Sequence, residues 1–306
     1  MKVLVLIPSY NDLPLVVERI EEIEDRIGDF VGEYLVVDES DEESSLRYLR
    51  RLKGMDRVRV IHRERRLGKW SIWPTAFNYM LSSGFDALIE VDADVFIEHP
   101  QKIIQTISNG FDVVTCYSHY LTDKSPLSFM VTRLYSLMHD MSRQYRLYAM
   151  GGECIALSRR AVEEFKKHNL FYDPFPLDDY VISLAGAVLG LKCTSVDCGL
   201  TLKLPSTIRD WMTYRLRHTW RALELAHSYL RRRLGRNYLE KLNRLINKHE
   251  QARRFIIAKC LIKSSFTIAP IVVLQYLLSK VPLEIVSPIV WPRLRSEKMT
   301  KTLEVE

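Results

Sequence analysis

Two signatures of phosphate binding are missing from this 306-residue chain. No Gly-x-Gly-x-x-Gly follows a strand-like run, and no Gly-x-x-x-x-Gly-Lys-Ser/Thr occurs. Neither dinucleotide binding nor ordinary ATP hydrolysis is therefore supported. Cysteine is scarce: Cys116, Cys154, Cys193, Cys198 and Cys260 are an odd number without Cys-x-x-Cys spacing. That argues against a disulfide framework or a zinc site and for a reducing compartment. Met1–Ile7 is too short, and too soon broken by Pro8, to be a secretory signal, and reads as a buried first strand. Long apolar runs are short as well. The longest charge-free stretch near the end, Ser264 to Ser279, has 16 residues and contains Pro270, less than the roughly 20 residues of a spanning helix. The basic residues lack interleaved aromatics on a recognisable module, which disfavours nucleic acid as a partner.

What is present is enough apolar material for one large core or two modest ones, at 47% hydrophobic residues. The formal charge is +6 and the pI about 9.0, a balance suited to phosphate-bearing substrates or an anionic membrane surface.

From residue 3 to about 117, strand-like and helix-like patterns alternate. Strands are predicted at Val3–Ile7, Tyr34–Val37, Val58–Ile61, Ala87–Val91 and Asp112–Cys116, with helices over Leu13–Ile27 and Trp70–Leu81. This alternation favours right-handed crossovers and an α/β fold with a mainly parallel sheet flanked by helices. Ser9, Asp38, Arg63 and Asp92 each fall just past the carboxyl end of a strand, so a parallel sheet gathers them along one rim. Farther on, Cys154–Leu157 reads as a strand, Arg159–His168 as a helix, and Asp178-Asp179 opens a helix near Tyr180–Leu189. Two acids there either cap the helix or perform chemistry.

The strongest single motif is Glu90-Val91-Asp92-Ala93-Asp94, which directly follows the apolar run Ala87-Leu88-Ile89. In open α/β sheets ligands sit at that end of the strands. Two carboxylates on one turn suit a hard divalent cation, Mg²⁺ or Mn²⁺, that bridges to a substrate phosphate.

The C-terminal third changes character. From about Ser206 an apolar stripe (Met212, Leu216, Trp220, Leu223, Leu230, Leu234) is flanked by Arg215, Arg217, Arg221 and Arg231-Arg232-Arg233. The expected division is a catalytic domain over 1–205 and a helical region over 206–306. Residues 256–291 read either as membrane-associated, through interfacial helices or a short hairpin, or as buried against the catalytic domain.

Taken in order, Ile7-Pro8-Ser9-Tyr10-Asn11, Val36-Val37-Asp38, Leu67-Gly68-Lys69 with Asn78, Asp92-Ala93-Asp94, Gly151-Gly152 and Asp178-Asp179 resemble a family 2 glycosyltransferase with the Rossmann-like GT-A fold, over roughly residues 2 to 221. The resemblance implies an inverting, metal-assisted transfer from a UDP- or GDP-sugar to a hydroxyl of a glycan, glycolipid or lipid-linked saccharide. It places Pro8, Ser9, Tyr10, Asp38, Lys69, Asn78, Asp92, Gly152 and Arg217 at the donor and Asp92 and Asp94 on Mg²⁺ or Mn²⁺. Asp179 is the implied general base with Asp178 beside it, where the family usually has Glu. Trp220 would face the acceptor. The later family motif is only echoed in Arg215-Leu216-Arg217-His218-Thr219-Trp220, which puts processivity in doubt. The expected setting is the cytoplasmic face of the cell membrane, in cell-envelope glycan biosynthesis. A polyprenyl-phosphate glycosyltransferase and a non-catalytic membrane-associated sugar-nucleotide binder are the alternatives. A nucleotidyltransferase would open with a Gly-rich loop where this chain has Pro8-Ser9-Tyr10-Asn11. A haloacid-dehalogenase-type phosphatase would carry its Asp-x-Asp after the first strand.

Overall fold

The computed structural model describes residues 1–121, 129, 132, 136, 152–172, 178–203, 222–248 and 251. The elements in chain order are β1 (Val3–Ser9), α1 (Leu13–Ile27), β2 (Val31–Asp38), α2 (Glu43–Leu46), α3 (Leu49–Gly54), β3 (Val58–His62), α4 (Ile72–Ser83) and β4 (Ala87–Val91). They continue with β5 (Phe96–Ile97), α5 (Gln101–Ser108), β6 (Val113–Leu121), β7 (Cys154–Ser158), α6 (Arg159–Lys167), α7 (Asp178–Leu189), β8 (Cys193–Lys203) and α8 (Ala222–Arg233). A 3₁₀ turn, Lys69–Ser71, leads into α4.

One compact unit comprises Met1–Tyr117 and Gly151–Leu200, and a second comprises Ser118–Met150 and Thr201–Glu306. Lys69, Asp92, Gly152, Asp178 and Asp179 all belong to the first. In the second, Tyr229, Leu230 and Leu234 are buried, and His227 Nε2 lies 2.8 Å from Asn243 Oδ1.

The sheet has eight strands in the order β3-β2-β1-β4-β7-β6-β8-β5. Its first four strands are parallel, as crossovers through α1 and α4 require. β7 runs antiparallel to both β4 and β6. The sheet is therefore mixed, with a parallel half. β1 and β4 are buried along almost their whole length, which is why they read as unbroken apolar runs: such strands are covered on both faces. α1 starts with Pro14 in its first turn, where a missing N–H costs nothing. α4 stops at Gly84, which takes the left-handed conformation at φ 75°.

Register fixes the functional rim. Ser9, the last residue of β1, pairs with Asp38, the last of β2, and Asp38 pairs with His62 at the end of β3. On β4, Glu90 stands between Leu6 and Ile155. Backbone pairing continues one residue past β4, where the Asp92 N–H donates to the Glu153 carbonyl at 3.0 Å. The Asp-x-Asp turn and the Gly152-Glu153 turn are thus tied together.

Several elements differ from the sequence expectation. β1 runs on through Pro8 to Ser9; the Pro8 ring removes one N–H but leaves the carbonyls to pair. β6 extends to Leu121. β5, α5 and β8 were not expected. β8 alternates little and contains Asp197 and Gly199, residues depleted in strands. Cys116, Cys154, Cys193 and Cys198 are free thiols. Among the described residues no helix is long and apolar enough to cross a membrane. Residues 256–291, on which the membrane expectation rests, lie outside the described residues, as do Arg217 and Trp220.

Candidate active site

The site grows from a buried acid. Glu90 sits in the middle of the sheet with no exposed surface, which drives its carboxyl pKa well above the usual range. A lone charge there would be costly, and what offsets it is Lys69. The Lys69 ammonium lies 2.9 Å from Glu90 Oε1 at an ion-pair distance, without the alignment of a hydrogen bond. It donates to Asp92 Oδ1 at 2.9 Å and to the Gly152 carbonyl at 2.6 Å. Burial works against the ammonium, yet Asp92, Glu90 and Asp178 outweigh it and hold the Lys69 pKa well above its ordinary value. The Lys69 and Asp92 side chains keep 28% and 29% of their surface, so the space beside them, the pit, opens to solvent.

Lys69 is delivered to this position by a second buried acid. Glu39 Oε2 accepts from the backbone N–H groups of Leu67 and Gly68 at 3.0 and 2.8 Å. Its Oε1 takes Arg63 Nη1 at 3.2 Å. Arg63 also donates to Ser71 Oγ at 2.6 Å and to Thr75 Oγ1 at 3.0 Å, stitching the end of β3 to the start of α4. Gly68, at φ 85°, makes the turn that a side chain would disfavour.

Asp178 and Asp179 open α7 on the other side of Gly152. A methyl group on Gly152 would meet Asp179 Cβ at 3.2 Å and Asp179 Oδ2 at 3.5 Å; glycine is what lets the two turns come this close. Burial, helped by Asp178 and Glu153, pushes the Asp179 carboxyl up to about 7, against the Tyr180 backbone N–H and the Lys69 charge. Asp178 Oδ2 is held by Trp73 Nε1 at 2.8 Å. Trp73 belongs to an aromatic group with Trp70, Phe77, Phe165 and Phe171, in which ring centres lie 4.5 to 6.4 Å apart. Phe171 adopts φ 74°, strained for a bulky residue at a cost of about 1–3 kcal/mol, and it is packed against the other four rings.

Asp92, Lys69, Gly152, Asp178 and Asp179 are therefore one connected cluster. Asp94 is half-buried beside it, within the field of the buried Arg19 on α1. Burial lowers the Arg19 pKa to about 10, with Asp94 pulling it up. Pro8, Ser9 and Tyr10 lie at the end of β1. The Ser9 hydroxyl is buried without a hydrogen-bond partner among the described residues. The Tyr10 ring carries the Arg66 guanidinium 3.8 Å from its centre, and its hydroxyl reaches Asp41 at 3.3 Å. Asp38, which the resemblance places at the donor, closes β2. It is fully buried, and its two oxygens are engaged by Ser40 Oγ at 2.5 Å and His62 Nδ1 at 2.7 Å. Asn78 is exposed on α4 and is not part of the cluster.

Sequence reading gave no role to Glu90, Glu39, Trp73 or Arg19. Glu90 had a visible signal, an acid at the fourth of five strand positions; the other three become visible only through contacts across the fold.

Asp92 and Asp94 supply the hard oxygen donors that Mg²⁺ or Mn²⁺ takes, and such ions are commonly held by one or two carboxylates completed by substrate phosphate. Among the described residues no cluster of three or more His, Cys, Asp or Glu forms an all-protein cage. The donor set thus fits a metal site that a diphosphate would complete.

The carboxyl rim of a parallel half-sheet, where these acids gather, is where an open α/β fold places its ligands. The family model for glycosyl transferase family 2 matches residues 4–165, and the chain belongs to that family. Polyprenol monophosphomannose synthase of Mycolicibacterium smegmatis is 34% identical over 119 residues, 37% of this chain and 43% of that protein. The match thus spans less than half of that relative's length. Among solved structures, the mannosyltransferase PcManGT from Pyrobaculum calidifontis, in complex with GDP-Man and Mn²⁺, superposes with a TM-score of 0.56 at 16% identity, covering 91% of this chain and 80% of that one. S. aureus TarS 1-349 gives 0.52 at 13% identity, covering 91% and 79%. These structural likenesses establish the GT-A fold.

One prediction follows from the Gly152 contact. Gly152→Ala is expected to lower turnover about tenfold, because Asp179 must shift by a few tenths of an ångström from a position that must be held closely. Global stability should change by less than ~1 kcal/mol, as at other sites where no core cavity or buried charge is created. Steady-state kinetics beside a urea melt checks both halves.

Proposed function

We propose that this chain is a nucleotide-sugar-dependent hexosyltransferase that acts with inversion and with the help of Mg²⁺ or Mn²⁺. The observation that carries the reading is the Lys69–Gly152 bridge, which ties Asp92 to the turn against which Asp179 packs.

Sugar transfer from a nucleoside diphosphate leaves negative charge on the diphosphate and needs a proton removed from the acceptor. Asp92 and Asp94 would hold the metal, which when bound supplies Lewis-acid stabilisation of the leaving diphosphate. Lys69 adds a positive charge beside it. Asp179, with its pKa raised to about 7, suits a general base: it can take the acceptor proton on a carboxylate oxygen near neutral pH. Asp178, pinned by Trp73, fixes the start of α7 and keeps Asp179 beside Gly152. A base and a leaving-group site on separate walls favour direct displacement, hence inversion. The sugar nucleotide's base would lie by Pro8, Ser9 and Tyr10, where Asp38 shapes the loop through Ser40 and His62. Arg217 and Trp220, outside the described residues, remain proposed donor and acceptor contacts.

The acceptor is a hydroxyl of a glycan, glycolipid or lipid-linked saccharide, met at the cytoplasmic face of the membrane. A second reading has a polyprenyl phosphate as acceptor, favoured by the similarity to polyprenol monophosphomannose synthase. A panel of UDP- and GDP-sugars incubated with Mn²⁺ or Mg²⁺ is expected to yield metal-dependent donor hydrolysis for one member. The glycosylated product should have the inverted anomeric configuration by NMR. Retention, or no turnover and no thermal shift with any donor, would overturn the proposal.

A further inference from the structure

We propose that Lys69 is a built-in cation occupying the metal seat on Asp92, so that a divalent metal must displace its ammonium to bind. This rests on the reading of Asp92 and Asp94 as metal ligands. The Lys69 Nζ has three oxygens around it, from Asp92 Oδ1 at 2.9 Å, Glu90 Oε1 at 2.9 Å and the Gly152 carbonyl at 2.6 Å. Two carboxylates and a carbonyl are the donor types that a hard metal ion takes, and here a side chain has claimed one oxygen of the Asp-x-Asp pair.

The exchange is a side-chain movement alone. The backbone on either side of Lys69 is fixed: Glu39 holds the Leu67 and Gly68 N–H groups, and Ser71 Oγ donates to the Gly68 carbonyl at 2.7 Å. A four-carbon stem with freely rotating bonds can still swing its ammonium. It cannot go far, because Glu90 is wholly buried, and abandoning it would strand an uncompensated charge. Lys69 therefore gives up Asp92 and Gly152 while keeping Glu90. The movement is favourable only when something adds negative charge to the pit, and a donor diphosphate does that. Metal and donor accordingly enter together, and the metal alone binds weakly.

The test is Mn²⁺ titration of the full chain, followed by electron paramagnetic resonance, without and with UDP and GDP. Lys69→Met should tighten binding of Mn²⁺ alone by about tenfold or more, but that variant also makes the pit more negative overall. Lys69→Met/Glu90→Gln removes one charge of each sign. It retains the net charge and frees Asp92 Oδ1, so tightening of at least severalfold there reads the release of the ligand itself. Affinity for Mn²⁺ alone in the folded double variant equal to wild type would overturn the proposal while leaving the metal site standing. No Mn²⁺ binding by any form, even with nucleotide, would overturn both the proposal and the metal reading beneath it.

Discussion

Asp179→Asn is expected to cut turnover by about 10²–10⁴-fold, the range that a positioned general base contributes. Asn has nearly the shape of Asp and leaves Gly152 its space, so the loss isolates proton removal from packing. The wild-type pH profile should agree. With the Asp179 carboxyl raised to about 7 by burial, Asp178 and Glu153, kcat/KM should climb as pH rises through that region, because only the ionised form takes the acceptor proton. In Asp179→Asn that limb should vanish. Full activity in this variant would instead point to an acceptor already ionised, as a polyprenyl phosphate is.

Stability has the opposite pH dependence from activity. An Asp whose folded pKa lies above its unfolded value of about 3.9 binds its proton more tightly in the folded state. Its contribution is complete below pH 4 and is lost as pH rises through about 7. Asp179→Asn should therefore be more stable than wild type at pH 8, with the gain fading toward pH 4. Urea midpoints across that range give the measurement. A group that makes the enzyme less stable where it is most active is the signature of a functional acid.

Much of this site was legible because apolar runs and turn residues mark the rim of a parallel sheet. Val3–Ile7 and Ala87–Val91 announce strands by composition alone. Residues ending them, such as Ser9, Asp38 and Asp92, follow from topology once crossovers are assumed right-handed. Boundaries suffered where local preference and context disagree: Pro8 reads as a stop, yet the chain stays extended through Ser9. The parallel order expected of the sheet holds through β4 and ends there. The direction of β7 is set by pairing partners far away in the chain, not by anything within Cys154–Ser158. Side-chain partners were hidden for a different reason. Sequence marks Asp38 as an acid at a strand end but cannot show that Ser40 and His62 already hold its oxygens. Nor can it show that Lys69 and Glu90, with the whole of α4 between them in the chain, form one ion pair.

That ion pair carries the second large effect. Lys69→Met should destabilise the fold toward the lower end of the roughly 3–5 kcal/mol seen when one partner of a buried pair is removed, since Lys69 keeps 28% of its side-chain surface. The cost arises at Glu90, whose charge has no exposed surface to solvate it. Burial already holds the Glu90 pKa above its unfolded value, and losing Lys69 raises it further. Glu90 then contributes most below its unfolded pKa, and that contribution is lost as pH rises through the folded one. The deficit of Lys69→Met should accordingly be greatest at neutral and alkaline pH and shrink on acidification, as both Glu90 and Asp92 take up protons. Adding Glu90→Gln removes the stranded charge and should recover most of the loss, a non-additivity that a double-mutant cycle in urea reads directly. If the two substitutions were simply additive, Lys69 and Glu90 would be independent, and the ammonium would be held by Asp92 and Gly152 alone.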